Sequence, residues 1–339
     1  MESLIRKYNP TPGDLHINQA LTNLSIKYLQ DDSAFIADRV FPSVGVNKQS
    51  DKYWIYDRKG TNVLKLQKRA PHTRAARIEA TRSTDSYYLD VMALGAAIDD
   101  QERANTDIAD LDTDYLELLA RQVKLQKEYD FATNFFAPGK WGTDFTAVIQ
   151  GTPSSSQFLC WNDANSDPIG DVKKAVKYML ENTGYKPNKL TLGYNVWDSL
   201  RDHPDLIDRL KYGGQITNTL AKVTREMVAA LFEIPEILVS EAIYDTKDTD
   251  PDTEDNTFIM GNHALLTYSQ PAPGLRKPSA GYTFFWTAEE FYGSMNGFRV
   301  KRYRDEPFNS DIIEIQGAYT QKQTGADLGI LFVDAYKTS

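Results

Sequence analysis

A single cysteine, Cys160, in 339 residues excludes an internal disulfide framework and fits a reducing compartment. Histidine is as scarce: His16, His72, His203 and His263 stand far apart, with no metal-ligand spacing. No apolar run approaches the roughly 18 residues that a membrane helix needs, so no membrane partner is expected. The start, Met1 to Lys7, lacks the apolar core of a signal peptide, and none is expected. Also missing are a glycine-rich phosphate loop, a His-Glu-x-x-His pair and a Gly-x-Ser-x-Gly elbow. Cys160 beside Trp161 has no identifiable base to activate it. These absences predict no catalysis and no cofactor. One metal-like motif remains, Asp248-Thr249-Asp250-Pro251-Asp252, which resembles half of a calcium-binding loop. Its sixth position is Thr253 rather than glycine and its twelfth is Ile259 rather than glutamate, so a solvated acidic loop is expected. A metal-dependent hydrolase using Asp248, Asp250 and Asp252 is the enzymatic alternative.

Aromatic residues are plentiful, at 19 Tyr, 15 Phe and 5 Trp, and Tyr and Trp suit surfaces that meet other surfaces. Charge is unevenly spread. Between Arg58 and Arg82 eight basic residues face Glu79 alone, a local balance of +7 in a chain of net charge −9. The rest therefore carries −16. A pI near 5.1 argues against a dedicated nucleic-acid binder. A basic arm on an acidic body instead suggests copies that grip one another.

Residues 1–45 read as an arm: Pro10, Pro12 and Gly13 break any early helix, Ala20 to Leu29 has helical spacing, and Phe41-Pro42 ends a short piece beginning at Phe35. Residues 46–99 read as a held β-hairpin, strand-like at Lys52–Arg58 and again at Ser86–Leu94, with a solvated loop as the rival reading. A long helix follows. Ile108, Leu111, Tyr115, Leu118, Gln122, Leu125, Tyr129, Ala132 and Phe136 recur in steps of three and four, and Pro138-Gly139 stops it. This predicts a rod of about 45 Å lying across a sheet, with a coiled coil as the alternative. Ile108, Leu111, Tyr115, Leu118 and Leu125 are expected to be buried. Acidic Asp107 to Asp114 crowd its start, and Arg121, Lys124 and Lys127 fall later, as the helix dipole prefers. Residues 139–166 read as loop. Asp167-Pro168 then caps a helix carrying Ile169, Val172, Val176, Met179 and Leu180 inward to Gly184. Lys189–Gly193 reads as a strand, Asn195 as the cap of a helix over Val196–Arg201, Thr224–Phe232 as a helix and Ile237–Ser240 as a strand. Strands at Phe298–Tyr303, Asp311–Gln316 and Leu328–Val333 close the chain.

This order of parts resembles the major capsid protein family of tailed bacteriophages, with its Hong Kong 97-like fold. Val40-Phe41-Pro42 leading into Lys52-Tyr53-Trp54-Ile55-Tyr56 is similar to that family's arm entering its extended loop. Leu192 to Leu200, His203-Pro204 and Leu210 to Gly214 resemble its strand-turn-helix segment. Leu231 to Val239 and Ile259 to Leu266 are similar to the axial strands that follow. The resemblance implies an α+β fold with five parts: an N-terminal arm (1–45), an extended β-hairpin loop (46–99), a peripheral domain with a long spine helix (100–166), an α/β axial domain (167–290) and peripheral return strands (291–339). It implies a non-catalytic shell subunit, located in the virion, that assembles into hexamers and pentamers around double-stranded DNA, the DNA held by weak contact. A portal protein, a separate scaffold protein and a decoration protein are the further partners implied. An encapsulin-like compartment enclosing protein cargo is the alternative on the same fold. Arg58, Lys65, Lys68, Arg69, Arg74, Arg77 and Arg82 are the expected contacts to a neighbouring subunit, or alternatively to DNA. Some family members cross-link lysine to asparagine; nothing in this sequence identifies such partners.

Overall fold

The computed structural model describes residues 30–56, 64, 66–75, 77, 82–106, 110–212, 223–247, 255–272, 277–287 and 298–337. The helical spacing at Ala20–Leu29, Ile108, and the Asp248-Asp250-Asp252 motif lie outside them. The arm contributes α1 (Ala37–Val40) and β1 (Ser43–Val46). A hairpin follows, β2 (Ser50–Tyr56) and β3 (Arg82–Tyr88), which continues into β4 (Asp90–Asp99). Next come α2 (Asp100–Asn105), the long helix α3 (Leu111–Phe135), β5 (Thr143–Val148) and β6 (Gln157–Leu159). The middle of the chain folds as α4 (Pro168–Thr183), β7 (Lys189–Gly193), α5 (Tyr194–Arg201), α6 (Pro204–Tyr212), α7 (Arg225–Phe232) and β8 (Glu236–Ser240). The remaining strands are β9 (Ile243–Asp245), β10 (Asn256–Phe258), β11 (Ala264–Thr267), β12 (Gly281–Trp286), β13 (Phe298–Asp305), β14 (Ser310–Gln323) and β15 (Gly329–Val333).

Two sheets organise the molecule. The six-stranded sheet runs β6-β5-β15-β11-β7-β8. Its central strands are buried on both faces, which is why β15 and β11 read as unbroken apolar runs. Ile330 and Phe332 face one core with α4, α5 and α7, whereas Leu331 and Val333 face another with the arm and the end of α3. In the five-stranded sheet β14 is the spine: β12 pairs with its far end, and β13 and β4 flank the other. β1 of the arm adds parallel to β12. Two expectations change here. Residues 139–166 hold β5 and β6 rather than only loop, and β15 leaves the other tail strands to sit inside the six-stranded sheet.

The long helix forms, at 25 residues and about 37 Å, but its buried face differs from the expected seam. Leu118 is 44% exposed while Leu119 is 3% exposed; Gln122 is exposed, and Tyr115 and Leu125 are half-buried. The interior stripe is Leu111, Tyr115, Leu119, Val123, Lys127, Phe131 and Phe135, a constant step of four. At about 100° per residue each such step drifts ~40° around the axis. The stripe winds because the partner changes: the first half packs on the five-stranded sheet, the second on the arm and the six-stranded sheet.

Locally encoded ends come out as read. Asp167 accepts from the Gly170 amide, Pro168 opens α4, and Gly184 closes it at φ 77°. Leu180, however, is exposed, one position past the buried stripe. Asn195 is not a cap: α5 begins at Tyr194 after Gly193, and the Asn195 amide donates to Asn262 Oδ1.

The arm is held by α3 along several turns. Glu128, fully buried, accepts from the Ile36 and Ala37 amides through Oε2 and from the Ser240 hydroxyl through Oε1. Beside it Lys127 pairs with Asp38 at 3.1 Å and lies over the rings of Phe298 and Tyr319. Lys124 and Arg121 pair with Asp32. The cations of α3 thus bind the arm, being too far from the helix end to serve its dipole.

Candidate assembly surface

The hairpin is anchored at its base and basic at its tip. β2 and β3 pair in register from Ser50 with Tyr88 to Tyr56 with Arg82, so Asp51, Tyr53, Asp85 and Tyr87 share one face. That face meets the five-stranded sheet. Tyr87 stacks on Phe284 with ring centres 4.8 Å apart, and Tyr53 lies tilted against the same ring. The Tyr53 hydroxyl donates to Asp85 at 2.7 Å, and Lys322 of β14 pairs with Asp85 at 3.1 Å. Burial and the Asp85 carboxylate raise the Tyr53 pKa, which keeps the phenol a donor. The opposite face leaves Trp54 62% and Tyr88 58% exposed.

Further out, Ala70 to Thr73 form a turn in which Thr73 bonds back to the Ala70 carbonyl. Pro71 supplies the fixed φ of its second position, and His72 sits at φ 65° in its third. Lys68, Arg69, Arg74 and Arg77 are exposed and, among the described residues, have no ion-pair partner; Arg69 Nε donates to the Thr73 carbonyl. Arg82 ends the paired part of the hairpin. Arg58 and Lys65 lie outside the described residues. Sequence reading missed the clamp of Tyr53, Asp85 and Lys322. The period-two alternation of β2 and β3 would have placed the first two on one face, but Lys322 is supplied by a strand far along the chain.

Elsewhere the polar clusters serve the fold. Ser166 and His203 meet at 3.1 Å, resembling a nucleophile and base. Yet His203 Nδ1 accepts from the Asp205 amide, which puts the proton on Nε2, and the Ser166 hydroxyl donates instead to the Asp163 carbonyl. Both side chains are also buried. His263 Nδ1 accepts from the Asp334 amide, and burial lowers its pKa. Burial raises the pKa of the Cys160 thiol, the reverse of activation. Among the described residues no group of three metal-ligating side chains gathers.

Known proteins give the same reading. Residues 160–305 match the family described as phage major capsid protein E. The chain is 27% identical over 323 residues to the major capsid protein of Burkholderia phage BcepMu, covering 93% of this chain and 95% of that one. It is 30% identical over 233 residues to the major capsid protein of Pseudomonas phage JBD67, covering 67% and 69%. Its fold matches a phage-related protein of Bordetella bronchiseptica (TM-score 0.66, 24% identity, 90% and 93% covered). It also matches the capsid of cyanophage P-SCSP1u (TM-score 0.62, 12% identity, 97% and 95% covered). With an arm, a projecting hairpin, a long helix on one sheet and a second mixed sheet in that order, the chain belongs to the phage major capsid protein family: a structural subunit with the Hong Kong 97-like fold that self-assembles into an icosahedral head and is not an enzyme.

Proposed function

We propose that the basic hairpin is the part by which one subunit grips the next, lying over the acidic surface of a neighbour in the shell. The carrying observation is the separation of charge, +7 between Arg58 and Arg82 against −16 elsewhere. The unpaired state of Lys68, Arg69, Arg74 and Arg77 among the described residues supports it. Opposite fields favour ordered encounter and register more than raw affinity. Residues 1–45 then act as the arm, 46–99 as the extended loop, 100–166 and 291–339 as the peripheral part and 167–290 as the axial part. In this assignment β5, β6 and β15 complete the axial sheet from outside its segment. The shell encloses double-stranded DNA through weak contacts, is shaped by a separate scaffold protein, carries a portal, and takes a decoration protein on its surface.

A second reading is favoured by the same +7: the hairpin faces the genome, where phosphate neutralisation is also salt-sensitive. Arg74→Glu with Arg77→Glu separates the two. Under the proposed function, DNA-free shells fail to assemble or assemble slowly by light scattering and electron microscopy. Normal empty shells that lose only DNA retention would assign the hairpin to the genome instead.

A further inference from the structure

β4 is the outer strand of the five-stranded sheet. It pairs with β14 along its whole length, and among the described residues nothing pairs with its other edge. Free edges of this kind are normally blunted by charge, proline or a bulge. β4 has none of these from Val91 to Ile98, eight residues without a charge, while Asp90 and Asp99 mark its two ends. Val91, Met92 and Leu94 are all exposed. A strand this long and apolar is suited to a partner strand rather than to water.

The charges decide which strand. Two copies of β4 paired antiparallel about Leu94 and Gly95 would set Asp90 against Asp99 at both ends, a like-charge arrangement that destabilises. A basic strand has no such conflict. The stretch leading to the hairpin tip fits: Leu64 and Leu66 are fully exposed, two residues apart on irregular backbone, and Lys68 and Arg69 follow. Pro71, which lacks an amide hydrogen, ends the strand that this stretch could offer at Ala70.

We infer that Leu66–Ala70 of one copy adds as an extra strand to the outer edge of β4 of a neighbouring copy. Leu66 covers the exposed apolar side chains of β4, and Lys68 and Arg69 approach an acidic end of the strand. This rests on the reading that the hairpin grips a neighbour, and names the surface it meets. Backbone pairing supplies adhesion and the charged ends select direction.

The test is cross-linking in assembled shells of the full chain. Leu66→Cys is combined in turn with Val91→Cys, Met92→Cys, Ala93→Cys or Leu94→Cys, so that a shift of one residue in register is still caught. Cys160 is buried and contributes little background. After oxidation, at least one pair gives a ladder of joined chains on a non-reducing gel, and the single variants give none. Normal shells without a ladder from any pair overturn the inference. Hydrogen exchange on the unaltered chain removes dependence on those variants. The outward amides of Val91 to Ala97 exchange roughly tenfold or more slowly in shells than in free subunits; equal rates also overturn it. Protection without cross-linking means another strand occupies the edge, which overturns the assignment of Leu66–Ala70. If Arg74→Glu with Arg77→Glu blocks assembly while no ladder forms, the hairpin grips a neighbour elsewhere, and only this inference falls.

Discussion

Glu128 shows how much one residue can set. Burial pushes its pKa up to about 7, against 4.5 for a free glutamate, and nearby Asp38 adds to the rise, while its three hydrogen bonds pull the other way. The folded chain therefore binds a proton more readily than the unfolded one. The linkage runs opposite to that of a salt-bridged carboxylate: stability from this group is greatest below about pH 4.5 and declines as pH rises to about 7. Glu128→Gln keeps a carbonyl for the Ile36 and Ala37 amides and an amide to donate to Ser240. The variant should match the parent near pH 5 and exceed it at pH 8, by up to about 3 kcal/mol, in chemical denaturation of the unassembled subunit. A variant less stable than the parent at pH 8 would show that the ionised carboxylate is the favoured form. The neighbouring choice between Leu118 and Leu119 carries its own expectation. Leu119→Ala should cost about 2–5 kcal/mol, and Leu118→Ala, at the surface, within ~0.5 kcal/mol; comparable melting losses in both would put the helix in the wrong rotation. Sequence periodicity pointed to Leu118 because it assumes one partner surface for the whole helix, and α3 has two.

At the scale of elements, what was legible was what is encoded locally. The cap and stop of α4 need only Asp167, Pro168 and Gly184, and the hairpin needs only its alternating aromatics. β5 escaped because Thr143–Val148 is short, half polar, and made a strand by β15, its parallel partner near the other end of the chain. The hairpin clamp was illegible for the same reason, since Phe284 and Lys322 come from β12 and β14. Magnitudes rank its parts. The Asp85–Lys322 pair leaves both side chains more than a third exposed, so it contributes about 0–1 kcal/mol. Phe284 is 8% exposed under Tyr87, and its truncation should cost about 3–5 kcal/mol. Phe284→Ala should therefore release the hairpin to protease in the free subunit, whereas Lys322→Ala should leave its cleavage rate nearly unchanged. The reverse order would make the ion pair, not the ring stack, the hinge of the hairpin.

For the whole molecule the question is which force closes a shell of identical chains. Under the proposed grip, each exposed charge pair between hairpin and neighbour is worth only ~0–1 kcal/mol, and at about 0.1 M salt a charge is screened beyond roughly 10 Å. A closed shell repeats the contact at every subunit, so a modest term multiplies while screening acts on each copy alike. Strand addition at β4 behaves differently, because apolar burial and backbone pairing are not weakened by simple salt. Assembly of DNA-free shells should therefore slow as sodium chloride rises from about 0.05 to 0.5 M, while shells already formed persist. Salt then acts on encounter, and the pairing retains what has met. Arg74→Glu with Arg77→Glu should flatten that dependence, since the attraction being screened is gone. Light scattering during assembly gives the rates, and sizing of finished shells after transfer to high salt gives their persistence. Finished shells that fall apart at 0.5 M would mean that charge holds the lattice as well as guiding it, and that the apolar edge of β4 contributes little to the finished head.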